Sequence, residues 1–323
     1  MSGGTAMEYR RLGRTNLDVS LLGLGSGGPS QLGQKSGVSE SDIHALVDTA
    51  LGLGVNLIDT AAAYGESEAI LGRALKGTPR DRYVLCTKSG PTVREGTETR
   101  PRTESELAES LDQSLARLQT DVIDVFQIHA VTPETYGHTR DVLVPELLRQ
   151  RDRGTIRFIG ITEAFASDHE RVVLQRALAD GVWDTILVGY NLLTPGPEDD
   201  VLPLARDKDV GVLVMCAVRR KIARQSDLEA LVAVLKRDGL IAPDALPDDA
   251  PVDWLLHDGI ERVTDAAYAY VAANPLVHSV LTGTADAEHL RQNVDAVLGP
   301  SLPEKDRARL KAIFAPTGRK LGD

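Results

Sequence analysis

Short apolar segments alternate with longer amphipathic segments along most of the 323-residue chain. The apolar segments are rich in Val, Ile and Leu, which is typical of parallel strands that are covered on both faces. From Leu21 onwards, each of eight such strands is followed by a helical pattern. We predict these strands at residues 21–25, 55–60, 83–87, 122–128, 156–161, 185–188, 211–216 and 278–281.

The amphipathic segments carry residues that commonly start and stop helices. Thr103 with Glu106 forms a capping box, and Gly154 and Gly181 follow two of the helical patterns as stop residues. We predict helices at residues 39–54, 66–76, 103–118, 141–153, 169–179, 198–208, 226–237, 264–273, 287–298 and 304–314.

Eight consecutive strand–helix units predict an α/β fold of the (β/α)8 TIM-barrel type. An alternating segment at 9–20, turning at 13–16, adds an N-terminal β-hairpin, and extra helices follow near the C-terminus. A doubly wound sheet is the competing fold. We expect a disordered lead-in at residues 1–7 and one domain over 8–323, with the Pro- and Asp-rich stretch 242–251 as a loop.

The composition of the chain excludes several classes of binding partner. The chain is 42% hydrophobic and 26% charged with a formal net charge of -11, which argues against nucleic acid and anionic membranes as partners. No apolar run approaches the length of a membrane span. Cys86 and Cys216, the only cysteines, lie in strand-like runs and predict buried thiols of a cytoplasmic protein without a metal site. The oligomeric state is not predicted.

The segment Gly23-Leu-Gly25-Ser-Gly27-Gly28 matches the glycine pattern of dinucleotide-binding loops. In a Rossmann unit the helix begins at the third glycine, so that its N-terminus meets the pyrophosphate. Here the next helical pattern begins only at Ser39. We therefore predict a strand-to-helix loop at the mouth of the barrel, not a Rossmann motif.

Polar side chains stand at the ends of three successive predicted strands. Asp59 ends one strand and Tyr64 follows five residues later, Lys88 ends the next strand, and His129 ends the third. Active sites of TIM barrels form at the C-terminal ends of the strands. Lysine is rarely buried without a partner, and Asp59 is available as one. The alternative is a coincidence of capping and core residues, but four titratable groups in this layout favour a proton-handling site.

At these residues the chain resembles the aldo-keto reductases over nearly its whole length, and the resemblance implies carbonyl reduction with a nicotinamide cofactor. The family's Asp, Tyr, Lys and His tetrad corresponds to Asp59, Tyr64, Lys88 and His129. The resemblance is carried by Tyr9-Arg-Arg-Leu-Gly-Arg-Thr-Asn-Leu-Asp-Val-Ser, Leu22-Gly-Leu-Gly, Asn56-Leu-Ile-Asp-Thr-Ala-Ala-Ala-Tyr-Gly, Thr87-Lys-Ser, Gln127-Ile-His and Ile156-Arg-Phe-Ile-Gly-Ile-Thr.

The chemistry of the four residues fits that activity. An unperturbed phenol is a weak acid, with a pKa of about 10, and a neighbouring cation makes it a better proton donor. Lys88 would be that cation for Tyr64, and Asp59 would hold Lys88 charged and in place. His129 would orient the carbonyl of a small-molecule substrate, while the cofactor supplies a hydride.

The resemblance also implies a site for NADP or NAD, in which this chain departs from the family pattern. After strand five, Thr162-Glu163 replaces the usual Ser-Asn, so Glu163 could accept a hydrogen bond from the nicotinamide carboxamide but not donate one. Leu187 replaces the usual Gln three residues before Tyr190, and we expect Tyr190 to stack on the nicotinamide or to be a core residue.

Other stretches are expected to hold the rest of the cofactor. Three cations follow strand seven, which suits a clamp on the pyrophosphate or, alternatively, a solvated turn. NADPH-preferring relatives carry Lys and Arg where this chain has Gly283 and His289, so the cofactor preference stays open. The expected cofactor-binding residues are Gly25, Ser26, Gly27, Thr162, Glu163, Tyr190, Ala217, Arg219, Arg220, Gly283, Thr284, His289 and Asn293.

Two alternatives remain for the function. The changed nicotinamide contacts would suit a nicotinamide-binding sensor with little turnover. A Schiff base on Lys88 would instead indicate a sugar-phosphate lyase. The segment after Pro316 is short, and we expect it to leave one side of the pocket open.

Overall fold

The computed structural model describes residues 6–28, 30–257 and 259–322. Their strands are β1 (Tyr9–Arg11), β2 (Asp18–Ser20), β3 (Leu22–Gly25), β4 (Leu57–Asp59), β5 (Val84–Ser89), β6 (Thr92–Glu95), β7 (Glu98–Pro101), β8 (Ile123–Val131), β9 (Ile156–Glu163), β10 (Thr185–Gly189), β11 (Gly211–Met215) and β12 (Ser279–Thr282).

The eight strands β3, β4, β5, β8, β9, β10, β11 and β12 are parallel and close into a barrel in that order. Pairing between β12 and β3 joins the two ends of the sheet. This confirms the predicted (β/α)8 barrel. A doubly wound sheet is excluded, because the closed sheet has no edges and its strand order never reverses.

Apolar side chains fill the inside of the barrel, and a hairpin closes one end of it. Leu57, Val84 and Leu213 belong to the interior cluster, together with Leu12 of the segment between β1 and β2. A Cβ atom on Gly211, at the start of β11, would lie 2.7 Å from the Leu12 side chain. The predicted hairpin thus covers the N-terminal ends of the strands, which leaves the C-terminal ends for a site.

Helices cover the outside of the barrel. They are α1 (Glu40–Gly52), α2 (Ser67–Ala74), α3 (Glu104–Leu118), α4 (Pro133–His138), α5 (Val144–Arg153), α6 (Val172–Asp180), α7 (Pro197–Asp200), α8 (Leu202–Asp207), α9 (Arg220–Ala223), α10 (Gln225–Arg237), α11 (Val263–Ala272), α12 (Ala287–Leu298) and α13 (Glu304–Phe314).

The local signals for helix ends are confirmed. Thr103 and Glu106 form the capping box of α3. Gly154 and Gly181 end α5 and α6 in the left-handed conformation, which glycine adopts at low cost. The helix predicted at 141–153 extends further towards the N-terminus, because α4 continues into α5 through a π-helical turn at Thr139–Leu143.

The antiparallel pair β6–β7 was not predicted. Its residues are mostly exposed and polar, so they lack the alternation by which a strand is recognised. Arg100 stabilises it by pairing with Glu95 across the hairpin and with Glu106 of α3. The hairpin stands over the C-terminal end of β5, beside the candidate site.

The C-terminal segment folds onto the mouth of the barrel, so the expectation that it leaves one side open is wrong. Lys320 is buried and forms an ion pair with Glu163 at the end of β9. Leu321 donates its backbone N–H to Thr194 Oγ1 at 2.8 Å, and its carbonyl accepts from Asn191 Nδ2 at 3.2 Å. Polar side chains after β9 and β10 therefore hold this segment, and its length alone did not reveal them.

The remaining sequence expectations concern the ends of the domain and its partners. Residues 1–5 of the predicted lead-in lie outside the described residues, whereas Met7 packs against the core. No helix in the described part of the chain is long and apolar enough to cross a membrane. Across the same residues, no group of three or more His, Cys, Asp or Glu side chains could hold a metal ion.

Candidate active site

The structure brings Asp59, Tyr64, Lys88 and His129 together at the C-terminal end of the barrel. Lys88 Nζ donates to Asp59 Oδ2 at 2.6 Å and to the Thr60 carbonyl at 2.7 Å. The same nitrogen lies 5.1 Å from the centroid of the Tyr64 ring. The Tyr64 hydroxyl lies 3.4 Å from His129 Nε2. Adjacent β4, β5 and β8 thus supply one connected cluster.

Strand register explains why Lys88 meets Asp59. Cys86 pairs with Asp59 across β4 and β5, so Lys88, two residues further along, points from the same face of β5. Gln127 pairs with Lys88 across β5 and β8 and donates from Nε2 to Asp59 Oδ1 at 3.3 Å. The sequence reasoning did not single out Gln127, although its position two residues before His129 places it on the same face.

Burial dominates the electrostatics of the Asp59–Lys88 pair. Desolvation raises the pKa of Asp59, an effect that Lys88 opposes. Desolvation acts to lower the pKa of Lys88, but the Asp59 and Tyr64 charges outweigh it, so that pKa is raised. Lys88 therefore remains a cation next to the Tyr64 ring.

His129 is neutral at physiological pH. Burial, and then the nearby positive charge of Lys88, lowers the pKa of His129 to about 3. A neutral imidazole can donate or accept a hydrogen bond through Nε2, depending on its tautomer. It can orient a polar group but does not serve as an acid near neutrality.

A cleft of about 150 Å³ opens beside Asp59 and Tyr64, and we call it the cofactor cleft. It is lined on one side by the loop after β3 and on the other by the ends of β11 and β12. The sequence reasoning did not assign to the site several residues of this lining, namely Gly28, Met215, Cys216, Val218, Leu281 and Thr282. The full lining is Gly25, Gly27, Gly28, Asp59, Tyr64, Leu187, Met215, Cys216, Val218, Arg219, Leu281, Thr282 and Gly283.

Glycines keep the cofactor cleft open. A Cβ atom on Gly27 would lie 2.8 Å from the Tyr64 ring, and one on Gly283 would lie 3.3 Å from the Gly27 carbonyl. The neighbouring Ser26 hydroxyl is buried without a hydrogen-bond partner among the described residues. A bare backbone beside a buried polar group fits the close approach of an extended polar ligand. Because α1 begins only at Glu40, this loop is not a Rossmann turn.

The structure places three expected nicotinamide contacts away from the cofactor cleft. Glu163 is buried, with its carboxylate accepting from Lys320 Nζ and from the Gly189 backbone N–H. The Thr162 hydroxyl accepts from the Ala130 backbone N–H at 2.6 Å. Both residues are buried and bonded to other parts of the protein, and neither lines the cofactor cleft.

Tyr190 is also a core residue rather than a face of the cleft. Its side chain is fully buried, and its hydroxyl donates to Glu198 at 2.5 Å. The Tyr270 ring lies 5.6 Å away. Tyr190 therefore has no exposed face for stacking, and the apolar lining of the cleft comes instead from Leu187, Met215, Val218 and Leu281.

The cations after β11 do not act as one cluster. Arg219 lines the cofactor cleft and donates from Nη1 to Cys216 Sγ at 3.5 Å. Arg220 is exposed and pairs with Asp227 of α10 at 2.8 Å. Ala217 is buried. Arg220 thus points to a neighbouring helix, which the order of residues in the sequence did not reveal.

The residues after β12 surround the N-terminus of α12. Asp286 caps this helix, and its Oδ1 accepts from the backbone N–H groups of Glu288 at 2.7 Å and His289 at 2.9 Å. Thr284 Oγ1 accepts from the Asp286 N–H, and Asn293 Nδ2 donates to Thr282 Oγ1 at 2.8 Å. The Asp286 carboxylate thus occupies two helix N–H groups that could otherwise bind a phosphate.

Comparison with known proteins assigns the family. The model of the Aldo/keto reductase family matches residues 22–315. L-galactose dehydrogenase of Arabidopsis thaliana is 31% identical over 97% of this chain and 96% of its own length. The NADH-specific methylglyoxal reductase of Escherichia coli is 28% identical over 95% of this chain and 98% of its own.

A solved structure agrees with this assignment. The holo form of an aldo-keto reductase from Bacillus halodurans superposes with a TM-score of 0.70 at 26% identity, over 95% of this chain and 96% of that one. Fold, family model and relatives agree over nearly the full length of the protein. The chain belongs to the aldo-keto reductase family.

Proposed function

We propose that the protein is a nicotinamide-dependent oxidoreductase that reduces aldehydes or ketones to alcohols, or catalyses the reverse reaction, with Tyr64 as general acid and base. The observation that carries the proposal is the position of the Tyr64 hydroxyl. It borders the cofactor cleft, lies 3.4 Å from neutral His129, and belongs to a ring 5.1 Å from the Lys88 ammonium.

The roles of the four residues follow from their contacts. As negative charge develops on the substrate oxygen, Tyr64 donates its proton, and the charge left on the phenol oxygen is stabilised by Lys88. Asp59 and Gln127 hold Lys88 in place through the contacts described above. His129, held neutral, hydrogen-bonds the substrate oxygen without competing as an acid.

The cofactor cleft fits a dinucleotide held mainly by backbone groups. The glycines of the loop after β3 and Gly283 would approach it closely, Met215 and Cys216 would line it, and Arg219 would contact a phosphate. When bound, the cofactor supplies the hydride that reduces the carbonyl carbon. Thr284, His289 and Asn293 remain candidates for contacts to the adenosine end.

From the N-terminus of α12 we infer a preference for NADH over NADPH. A 2′-phosphate there would meet the Asp286 carboxylate instead of free backbone N–H groups. Donors on His289 and Glu288 lower the pKa of Asp286, so that side chain is ionised at neutral pH and repels a second anion. A ribose hydroxyl, by contrast, can donate to a carboxylate.

The proposal is tested by following oxidation of NADH and of NADPH with a panel of small aldehydes and ketones. Tyr64→Phe is assayed beside Tyr9→Phe, which removes an exposed hydroxyl that donates to the Gly54 carbonyl. We expect turnover in the wild type and in Tyr9→Phe, and a loss of about 10²–10⁴-fold in Tyr64→Phe. Equal activity of the two variants would refute the role of Tyr64.

A nicotinamide-binding sensor on the same fold is the second candidate. It is favoured by one observation, namely that Glu163 and Tyr190 have no group available to hold a nicotinamide ring. Tight cofactor binding without turnover on the whole panel would support it. The lyase alternative is disfavoured, because a protonated Lys88 paired with Asp59 is a poor nucleophile for a Schiff base.

We also propose a cytoplasmic location. Cys86 and Cys216 are both unpaired and buried, as expected of a protein in a reducing compartment. Burial raises the pKa of both thiols, which keeps them unreactive. Recovery of both thiols in the reduced state from intact cells would test this location.

A further inference from the structure

A second cavity, of about 450 Å³, lies next to the cofactor cleft. We call it the polar cavity. His129 lines it, Tyr64 lines the cofactor cleft, and the Tyr64 hydroxyl lies 3.4 Å from His129 Nε2. The two spaces therefore meet at the pair of residues to which the proposed function assigns proton transfer. This position suits a substrate whose carbonyl group reaches that pair.

The lining of the polar cavity combines hydroxyl groups with small apolar side chains. Hydroxyl groups come from Ser89 at the end of β5, Thr92 of β6, Ser110 of α3, and Thr132 and Thr135 around the start of α4. Apart from His129, its described lining contains no aromatic or large aliphatic side chain. Binding here therefore has no large apolar side chain to draw on, so hydrogen bonds and charge would distinguish one ligand from another.

Arg102 supplies the only charged side chain of that described lining. It lies between β7 and α3 and is fixed by two backbone carbonyls. Its Nε donates to the Gly90 carbonyl at 2.8 Å and its Nη1 donates to the Glu106 carbonyl at 3.2 Å. A guanidinium has five N–H groups, so this anchoring leaves others for a ligand.

Arg102 has no ion-pair partner within the described part of the protein. Its neighbour Glu106 pairs through its carboxylate with Arg100, at 2.6 Å, and no described carboxylate lies within ion-pair distance of Arg102. Burial lowers the pKa of Arg102, and the Arg100 charge acts in the same direction, whereas the Glu106 charge opposes the shift. A partly buried cation held by neutral carbonyls is stabilised when an anion binds beside it.

We propose that Arg102 is a specificity-determining residue that binds a carboxylate on the substrate. The substrates favoured by this site are short polar aldehydes or ketones in which a carboxylate lies a few atoms from the carbonyl. Of the hydroxyl groups in the polar cavity, those of Ser89 and Ser110 bond each other and those of Thr132 and Thr135 cap α4, which leaves Thr92 for the remaining polar atoms. This inference rests on the proposed reductase function and adds the chemical class of its substrate.

The test compares two substrates of nearly the same shape, 4-oxobutanoate and its neutral amide 4-oxobutanamide. For the wild type we expect kcat/KM to be about 10- to 100-fold higher for the carboxylate, mainly through a lower KM. Arg102→Met should bring the ratio close to one, and Arg102→Lys should restore part of it. If Arg102→Met does not fold, Arg102→Gln replaces it.

Arg94→Met is the matched control. Arg94 belongs to the β6–β7 hairpin just before Arg102, is exposed, and donates to the Gly96 carbonyl, so its loss changes the net charge equally without reaching the polar cavity. This variant should keep the wild-type ratio. An Arg102→Met variant that also keeps it, or a wild type that prefers the amide, would overturn the assignment.

Failure of the reductase function is recognised separately. Binding of succinate is measured by calorimetry for the wild type, Arg102→Met and Arg94→Met. Succinate carries carboxylates but no aldehyde or ketone, so its binding does not depend on reduction. Wild type and Arg94→Met should bind it at least about tenfold more tightly than Arg102→Met does. No reduction of either aldehyde would overturn only the proposed function, whereas equal succinate binding by all three proteins would overturn the role of Arg102.

Discussion

Replacement of Lys320 tests the buried ion pair that holds the C-terminal segment. Both side chains of the Lys320–Glu163 pair are 0% exposed. In Lys320→Met, the Glu163 carboxylate stays in the barrel mouth with the Gly189 N–H as its remaining donor. Breaking a buried pair by removing one partner costs roughly 3–5 kcal/mol, a large part of the roughly 5–15 kcal/mol that stabilises a typical protein.

The assay is reversible urea unfolding, followed by circular dichroism, with Lys305→Met of α13 as the control at an exposed lysine. We expect Lys305→Met to match the wild type within about 0.5 kcal/mol. Adding Glu163→Gln to Lys320→Met should recover much of the lost stability, because the amide oxygen still accepts from the Gly189 N–H while the unpaired charge is gone.

The pH dependence gives a second criterion. Burial raises the pKa of Glu163, and Lys320 opposes that shift, so its removal raises this pKa further. A carboxyl with a raised pKa binds more protons when folded than when unfolded, so stability falls as pH rises through that pKa. The difference between wild type and Lys320→Met should therefore widen from about pH 4 to neutrality. A single-variant loss under about 1 kcal/mol, or a difference independent of pH, would refute the reasoning.

Three further predictions concern the site. Gln127→Met removes a donor to Asp59 at 3.3 Å, so kcat should fall several-fold. The cofactor Kd, measured by fluorescence titration, should stay constant. A change in Kd alone would contradict this prediction. The pKa of His129 is about 3 in the folded protein, below the usual value of about 6.5, so the wild type loses stability as pH falls from about 6.5 towards 3. His129→Gln should reduce this loss of stability at acidic pH, measured by urea unfolding. An unchanged loss would argue against a buried neutral imidazole. Asp286→Ala frees the N–H groups of Glu288 and His289, so the ratio of kcat/KM for NADPH over NADH should rise at least about tenfold; an unaltered ratio would show that Asp286 does not set the preference.

The sequence predicted the features that depend on local pattern. Eight apolar strands and their helices specify the barrel, and a polar residue at the end of a parallel strand necessarily lies at the C-terminal mouth. The sequence alone therefore predicted that Asp59, Lys88 and His129 lie close together. Gln127 could have been found by the same argument, because it shares the alternation of β8 with His129.

The cofactor side was harder to predict because it depends on partners distant in the chain. The sequence predicted Glu163 as an available acceptor, but the structure pairs it with Lys320, 157 residues later in the chain. The sequence allowed Tyr190 to stack on the nicotinamide, but the structure buries it, with its hydroxyl donating to Glu198. Arg219 and Arg220 are adjacent in sequence, but only Arg219 lines the cleft. These side-chain partners depend on tertiary packing, so no periodic pattern in the sequence predicts them.

The central claim is that Tyr64 transfers the proton in a reaction driven by the bound cofactor. Its most direct test is a single turnover, in which protein loaded with reduced nicotinamide is mixed with excess aldehyde and cofactor oxidation is followed in a stopped-flow instrument. We expect Tyr64→Phe to bind the cofactor with wild-type affinity and to oxidise it about 10²–10⁴-fold more slowly. Oxidation at the wild-type rate by Tyr64→Phe would contradict the account.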